Sequence, residues 1–309
     1  MSIVAPIRVL VIDDSAFSRR TITRMLERSP LVEVVGSARD GEEALRKTLE
    51  LRPDLITLDL EMPRMDGFTF LRLVMSRCAT PVIVISGRKG EQDVFRALDF
   101  GAVDFIAKPT PRAGAELETI EQELLRKVHA VRQLRIEKVR ARLDSGPTLR
   151  SAAKVRNMTS SRVVAIGSST GGPAALMQIL GSFVEAPPVA VLVCQHMPAG
   201  FTTSFAERLN NLSMMQVKEA EDGDRVRPGL VLLAPGGERH MQVHRSGGEY
   251  RVKLVAAERV SGHCPSVDVL FRSVAAGVGR NAAAALLTGM GEDGAAGLLE
   301  IRRAASVWR

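Results

Sequence analysis

The stretch IRVLVIDD, residues 7–14, sets a short aliphatic run directly against two aspartates. Such a run is too short for an ordinary helix and rich in β-branched residues. It predicts a strand buried on both faces, with acidic side chains at its carboxyl end. Four more runs repeat the theme: VEVVGSA (32–38), DLITLDL (54–60), PVIVISG (81–87) and VDFIAKP (103–109). Stretches with helical spacing of apolar residues separate them. Strands alternating with helices predict a doubly wound α/β domain with a five-stranded parallel sheet. In such a sheet the ligand crevice lies beyond the carboxyl ends of the strands, which makes Asp13, Asp14, Asp59, Ser86 and Lys108 the residues to watch.

The whole chain has 309 residues, room for two domains at roughly 100 to 200 residues each. Hydrophobic residues make up 45% and aromatic residues only 4%, so both cores must be built from Leu, Val, Ile and Ala. No apolar run reaches the roughly 18 residues that span a bilayer, and the N-terminus leads into acidic residues instead of a cleavage site. A cytoplasmic protein without membrane insertion is expected. Cys78, Cys194 and Cys264 lack the spacing of a disulfide framework or a zinc site and should be reduced.

The net charge of +7 suggests nucleic acid until it is divided by region. Residues 1–125 carry 17 basic and 20 acidic side chains, residues 126–156 carry 10 and 2, and residues 157–309 carry 15 and 13. The excess sits in one segment without interleaved aromatic residues. It reads as a solvated extension and linker, and no nucleic-acid partner is expected. A helical pattern with Leu117, Ile120, Leu124, Val128 and Val131 on one face runs into it, and Gly146 and Pro147 break it. The expected organisation is therefore a first domain over 1–125, a basic helical extension and linker over 126–160, and a second domain over 161–309.

Asp13, Asp14 and Asp59 repel one another when brought to one sheet edge, and a hard divalent cation, Mg²⁺ above all, relieves that repulsion. A carboxylate beside such a cation can attack a phosphoryl group whose charge a lysine and a hydroxyl stabilise. An acidic pair alone is more often a cap. Beyond this reading of the residues, IDDS (12–15), LDLEMPRMDG (58–67), the Ser86 position and FIAKP (105–109) resemble the receiver domain of bacterial two-component response regulators. The resemblance implies that Asp59 is phosphorylated by a histidine kinase. It further implies that Asp13, Asp14, Asp59 and the carbonyl of Glu61 hold Mg²⁺, that Ser86 and Lys108 contact the phosphoryl group, and that Phe105 repacks on activation. It also suggests a cis bond between Lys108 and Pro109.

The second α/β pattern begins at VVAIGSST (163–170), continues through the strand AVLVCQHM (190–197), and includes a hairpin turn at SGGE (246–249) and an apolar strand AAAALLTGM (282–290). A Rossmann-like parallel sheet carrying a β-hairpin is expected. GSSTGGP (167–173) lies where a strand turns into a helix. Backbone N–H groups there would suit a phosphate, although neither G-x-G-x-x-G nor a Walker lysine is present. They would equally suit the oxyanion formed when a serine attacks a carbonyl. A serine needs a base and an orienting acid, and His196 and Asp293 follow two other strands of the same sheet. Each alone has an ordinary reading, a strand-end histidine and a helix cap. His240 and His244 share a strand face but are spaced too far apart for chelation, and His263 has no evident place.

GSSTGGP, QHMPAGFTTSFAERLN (195–210), DGDRVRPGLVLLAPGG (222–237), CPSVDVLFRSVA (264–275) and LLTGMGEDGAAG (286–297) resemble the catalytic domain of the chemotaxis protein-glutamate methylesterase family, which places a receiver in front of it. The resemblance implies hydrolysis of glutamate methyl esters and deamidation of glutamines on methyl-accepting chemoreceptors, activated by phosphorylation and needing no cofactor in the catalytic domain. Ser169 would be the nucleophile, His196 the base and Asp293 the orienting acid, with Thr170 and the N–H of Met290 near the oxyanion. Ser168→Ala should be tolerated, because the family places a small residue there. The family domain continues into a turn, a further strand and a closing helix, whereas here the match dissolves at AASVWR (304–309), so an incomplete catalytic domain of lowered stability is expected. A catalytically impaired, phosphorylation-dependent binding module and a DNA-acting regulator are the competing readings.

Overall fold

The computed structural model of the chain describes residues 5–87, 91–108, 114–131, 162–288 and 291–306. The chain divides into two compact units, Met1–Gly146 and Pro147–Arg309. The basic extension expected over 126–160 is thus described only as far as residue 131.

The first unit alternates β1 (Ile7–Ile12), α1 (Ala16–Glu27), β2 (Val32–Ala38), α2 (Gly41–Leu51), β3 (Leu55–Asp59), α3 (Gly67–Arg77), β4 (Val82–Ser86), α4 (Glu91–Asp99), β5 (Asp104–Ala107) and α5 (Gly114–Ala130). Its sheet has the order β2-β1-β3-β4-β5 with every neighbouring pair parallel. Val9, Leu10, Val11, Leu55, Ile56, Leu58, Val82, Ile83 and Val84 are wholly buried, as strands covered on both faces require. Helices start where a polar side chain caps them: Ser15 accepts from the Ser18 N–H, Asp40 from Glu43 and Asp66 from Thr69. Gly67 lets α3 approach the third strand closely, since a Cβ there would lie 2.5 Å from the Asp59 carbonyl oxygen. The chain steps from β1 to β2 on one side and then to β3 on the other, which makes the β1/β3 edge the switch point of the sheet.

The second unit contains β6 (Val163–Ser168), α6 (Gly172–Gly181), β7 (Ala190–Gln195), α7 (Phe201–Leu212), β8 (Gln216–Glu219), β9 (Leu230–Leu233), β10 (Arg239–Ser246), β11 (Glu249–Ala256), α8 (Val267–Gly277), β12 (Ala282–Leu286) and α9 (Ala295–Ser306), with a 3₁₀ turn at Gly279–Asn281. A parallel sheet in the order β12-β6-β7-β9-β8 carries the antiparallel hairpin β10-β11 as a separate pair. Gly247 and Gly248 both have positive φ, 58° and 85°, which a two-residue hairpin turn demands. Here the switch point lies between β6 and β12. One core cluster is aliphatic around Phe271, and Phe201 and Phe205 of α7 are buried as well, while Leu286 and Leu299 remain 40% and 44% exposed. Both units are α/β with parallel sheets, as the sequence predicts. Among the described residues no helix is long and apolar enough to cross a membrane.

Candidate active site and candidate metal centre

At the first switch point Asp13 and Asp14 follow β1 and Asp59 ends β3. One oxygen from each of the three lies within 4.8 Å of the others. Lys108 joins them, its Nζ 2.6 Å from Asp59 Oδ2 and 3.2 Å from Asp13 Oδ2. Asp59 Oδ1 also accepts from the Glu61 N–H at 3.3 Å, and Asp13 Oδ1 from Ser15 at 2.8 Å. Burial and the neighbouring Asp59 charge push the Asp13 carboxyl up to about 6, against the pull of Lys108. Burial likewise raises Asp59, and Lys108 only partly offsets it. Lys108 is itself raised: burial pulls it down, but the hydrogen bond and charge of Asp59, with Asp13, outweigh it. Asp13 Oδ2 is buried and, among the described residues, has no hydrogen-bond partner beyond its ion pair with Lys108. One ammonium does not satisfy two buried carboxylates, and this oxygen-rich, under-neutralised donor set fits a hard divalent cation such as Mg²⁺.

Ser86 lies at the same edge, at the end of β4, where its hydroxyl donates to the Gly87 carbonyl at 3.3 Å. Phe105 is buried edge-on to Phe95. The Lys108–Pro109 peptide lies outside the described residues. The sequence reading did not anticipate Lys127. It stands in the basic segment read as solvated, yet it is buried, ion-paired to Asp104 at 2.9 Å and donating to the Phe105 carbonyl. Burial drives Asp104 above its usual range despite Lys127.

At the second switch point Ser168, Ser169 and Thr170 form the turn from β6 into α6, which starts from Gly171 at φ 75°. This turn is stitched to the end of β12, because the Ser169 N–H donates to the Thr288 carbonyl at 2.8 Å and the Thr288 hydroxyl donates to the Thr170 carbonyl at 2.5 Å. It is stitched to β7 as well. The Gln195 amide Nε2 donates to the carbonyls of Ser169 and His196, both at 3.0 Å, and its Oε1 accepts from the Ser168 hydroxyl at 2.6 Å. Gly172 leaves room for that amide: a Cβ there would lie 2.0 Å from Gln195 Oε1. Of the two serines, then, Ser168 is engaged in a buried hydrogen bond that the sequence does not reveal.

His196 follows β7, and its Nε2 lies 2.7 Å from Asp293 Oδ2. Asp293 is gripped by the start of α8: Oδ1 accepts from the Ser266 hydroxyl (2.6 Å) and the Asp268 N–H (3.0 Å), and Oδ2 from the Val267 N–H (2.8 Å). Burial would raise this carboxyl, but the bonds from His196, Ser266 and the two N–H groups hold it down at about 2. An ionised Asp293 accepts at Nε2–H, which leaves Nδ1 of a neutral His196 as the basic nitrogen. That atom is buried and has no hydrogen-bond partner among the described residues.

Two other histidines surround this pair. His240 is buried with both nitrogens used, Nδ1 accepting from the Ser266 N–H and Nε2 donating to the Glu258 carbonyl, so it steadies the turn that grips Asp293 and chelates nothing with the exposed His244. His263 stacks face to face on His196, with centroids 3.6 Å apart and planes within 6°. Met290 lies outside the described residues.

With this geometry in place, comparisons with known proteins agree on both units. The family model described as CheB methylesterase matches residues 164–308, and the response regulator receiver domain model matches residues 9–118. Similar curated proteins include protein-glutamate methylesterase/protein-glutamine glutaminase 3 of Geobacter sulfurreducens, 51% identical over 96% of this chain and 85% of its own length. The protein-glutamate methylesterase/protein-glutamine glutaminase of Sulfurimonas denitrificans is 46% identical over 96% of this chain and 85% of its own length, and protein-glutamate methylesterase/protein-glutamine glutaminase 1 of Myxococcus xanthus is 47% identical over 100% and 88%.

Proposed function

We propose, since this chain belongs to the protein-glutamate methylesterase/protein-glutamine glutaminase family, that it removes methyl groups from glutamate side chains, and amide nitrogen from glutamines, on the cytoplasmic helices of chemoreceptors. Ser169, His196 and Asp293 form the triad, and phosphorylation of Asp59 by a chemotaxis histidine kinase raises the rate. The chain acts in the cytoplasm. The observation that carries this reading is Asp293, held by three donors and bound to His196 Nε2 on the strand next to the serine turn.

In this mechanism Ser169 Oγ attacks the side-chain acyl carbon while its proton passes to His196 Nδ1. The positive ring is stabilised by Asp293, which keeps its own charge. The carbonyl oxygen becomes an oxyanion that Thr170 helps to stabilise, a role the family resemblance also gives to the Met290 N–H. His196 then returns the proton to the departing methoxide, released as methanol, or to the amide nitrogen, released as ammonia. Water repeats the sequence on the acyl-enzyme and frees glutamate. At the receiver edge Asp59 is the phosphoacceptor, with Lys108 and Ser86 against the phosphoryl oxygens. Asp13, Asp14, Asp59 and the Glu61 carbonyl would hold Mg²⁺, which supplies positive charge against those oxygens.

Methanol release from methylated receptor membranes tests the reading. Ser169→Ala should leave only residual hydrolysis, about the level expected when a nucleophile is removed and binding contacts persist. Full activity in Ser169→Ala, or its loss only in Thr170→Ala, would overturn the assignment.

A further inference from the structure

Among the described residues His196 is hydrogen-bonded at a single ring atom, Nε2, by Asp293. One hydrogen bond leaves a ring free to rock about that contact, and rocking would carry Nδ1 away from the serine turn. The face of the ring is closed by the imidazole of His263 at 3.6 Å, nearly parallel to it. His196 has 11% of its side chain exposed and His263 is 9% exposed, so the stack is largely shielded from water.

The segment that brings His263 to this place is tightly built. Val260 and His263 exchange both backbone hydrogen bonds, at 3.0 and 2.9 Å, across a turn whose central residues Ser261 and Gly262 have φ 52° and 79°. Three residues further on, Ser266 caps α8 and grips Asp293 Oδ1. One continuous stretch thus supplies both the stacking ring and the clamp on the orienting acid.

We infer that His263 is a positioning residue for His196, fixing the plane of its ring and stabilising the imidazolium that exists only while the serine proton is held. A cation against the face of an aromatic ring is favoured electrostatically, and more so when water is excluded. The proton sits on His196 in the transition states and tetrahedral intermediates but not in the resting enzyme. The stack therefore acts on turnover and leaves substrate binding unchanged.

The inference rests on His196 being the base of the proposed reaction. Its test compares His263→Phe, His263→Leu, His263→Met and His263→Lys in the full chain. Methanol release from methylated receptor membranes gives kcat and KM, and circular dichroism gives the folded fraction. His263→Phe keeps a ring and should hold kcat within about 3-fold. His263→Leu and His263→Met should each lose about 10-fold in kcat at unchanged KM, and His263→Lys, which sets a like charge against the imidazolium, should lose about 100-fold. The inference is overturned if His263→Phe and the aliphatic variants turn over equally per folded molecule, or if the loss is entirely in KM. Activity surviving in His196→Ala would overturn the base assignment itself. Equal Phe and Leu rates with an inactive His196→Ala would remove only the stacking role.

Discussion

Ser168→Ala is the substitution on which family resemblance and structure disagree, and the disagreement can be given a size. Ser168 is 1% exposed, and its hydroxyl donates to Gln195 Oε1 at 2.6 Å. Removing the hydroxyl strands an amide oxygen away from water, and an unpaired buried acceptor costs about 1–3 kcal/mol. In a domain of this size, where each kcal/mol moves the melting temperature by about 2–4 °C, that corresponds to a fall of roughly 2–12 °C for the second unit. The effect should reach turnover as well, because the same Gln195 amide donates to the carbonyls of Ser169 and His196. Thermal unfolding of Ser168→Ala, Gln195→Met and the double variant closes a cycle. If Ser168 acts through Gln195, its substitution costs at least about 0.5 kcal/mol less once Gln195 is gone. A melting temperature within about 1 °C of the parent, or strictly additive costs, would refute this chain of reasoning.

Asp59→Asn should abolish labelling by a small-molecule phosphodonor, and chelation of divalent cations should abolish labelling of the parent chain; label persisting in the variant would exclude Asp59 as acceptor. Lys127→Met leaves Asp104 buried without its counter-charge and should destabilise the first unit by about 3 kcal/mol in urea, with much of that restored by adding Asp104→Asn; an unaltered midpoint would show that the pair is inert. Asp293 is held at about 2 against 3.8 for the ordinary group, so between those values the unfolded chain binds more protons than the folded one. The stability this carboxylate confers is complete above about pH 4 and lost as pH falls toward 2. Asp293→Asn should flatten the stability profile in that window, and superimposable profiles would contradict the clamp.

The strands were legible because each is a nearly unbroken aliphatic run, a consequence of burial on both faces, and the acidic, serine and histidine residues were legible because they stand at the ends of those runs. Asp13, Asp59 and Lys108 are found together, and His196 with Asp293, as their strand-end positions require. What could not be read was anything decided by a partner distant in sequence. Lys127 looked like one more charge in a basic run, because nothing local signals that Asp104 waits beneath it. Ser168 and Ser169 are adjacent and chemically identical, and only the register of β6 against β7, which pairs Ser168 with Gln195, tells them apart. His263 had no reading, since its role is a ring face turned toward another strand's histidine.

The two switch points use carboxylates in opposite ways, and the difference lies in the number of donors each one meets. At the receiver edge burial raises two aspartates above the usual range, the one lysine they share only partly offsets it, and among the described residues Asp13 keeps an oxygen without a hydrogen bond. Such a cluster gains from any added positive charge, which is the condition for taking up a cation and then an incoming phosphoryl group. At the other edge one aspartate meets a hydroxyl, two backbone N–H groups and an imidazole, and is lowered instead. That carboxylate has little left to gain from a ligand; its charge is already fixed where, in the proposed reaction, a histidine becomes positive. Adding a donor at the first site should therefore weaken cation uptake, while removing one at the second should loosen His196, so the same kind of substitution has contrary effects at two sites of like topology.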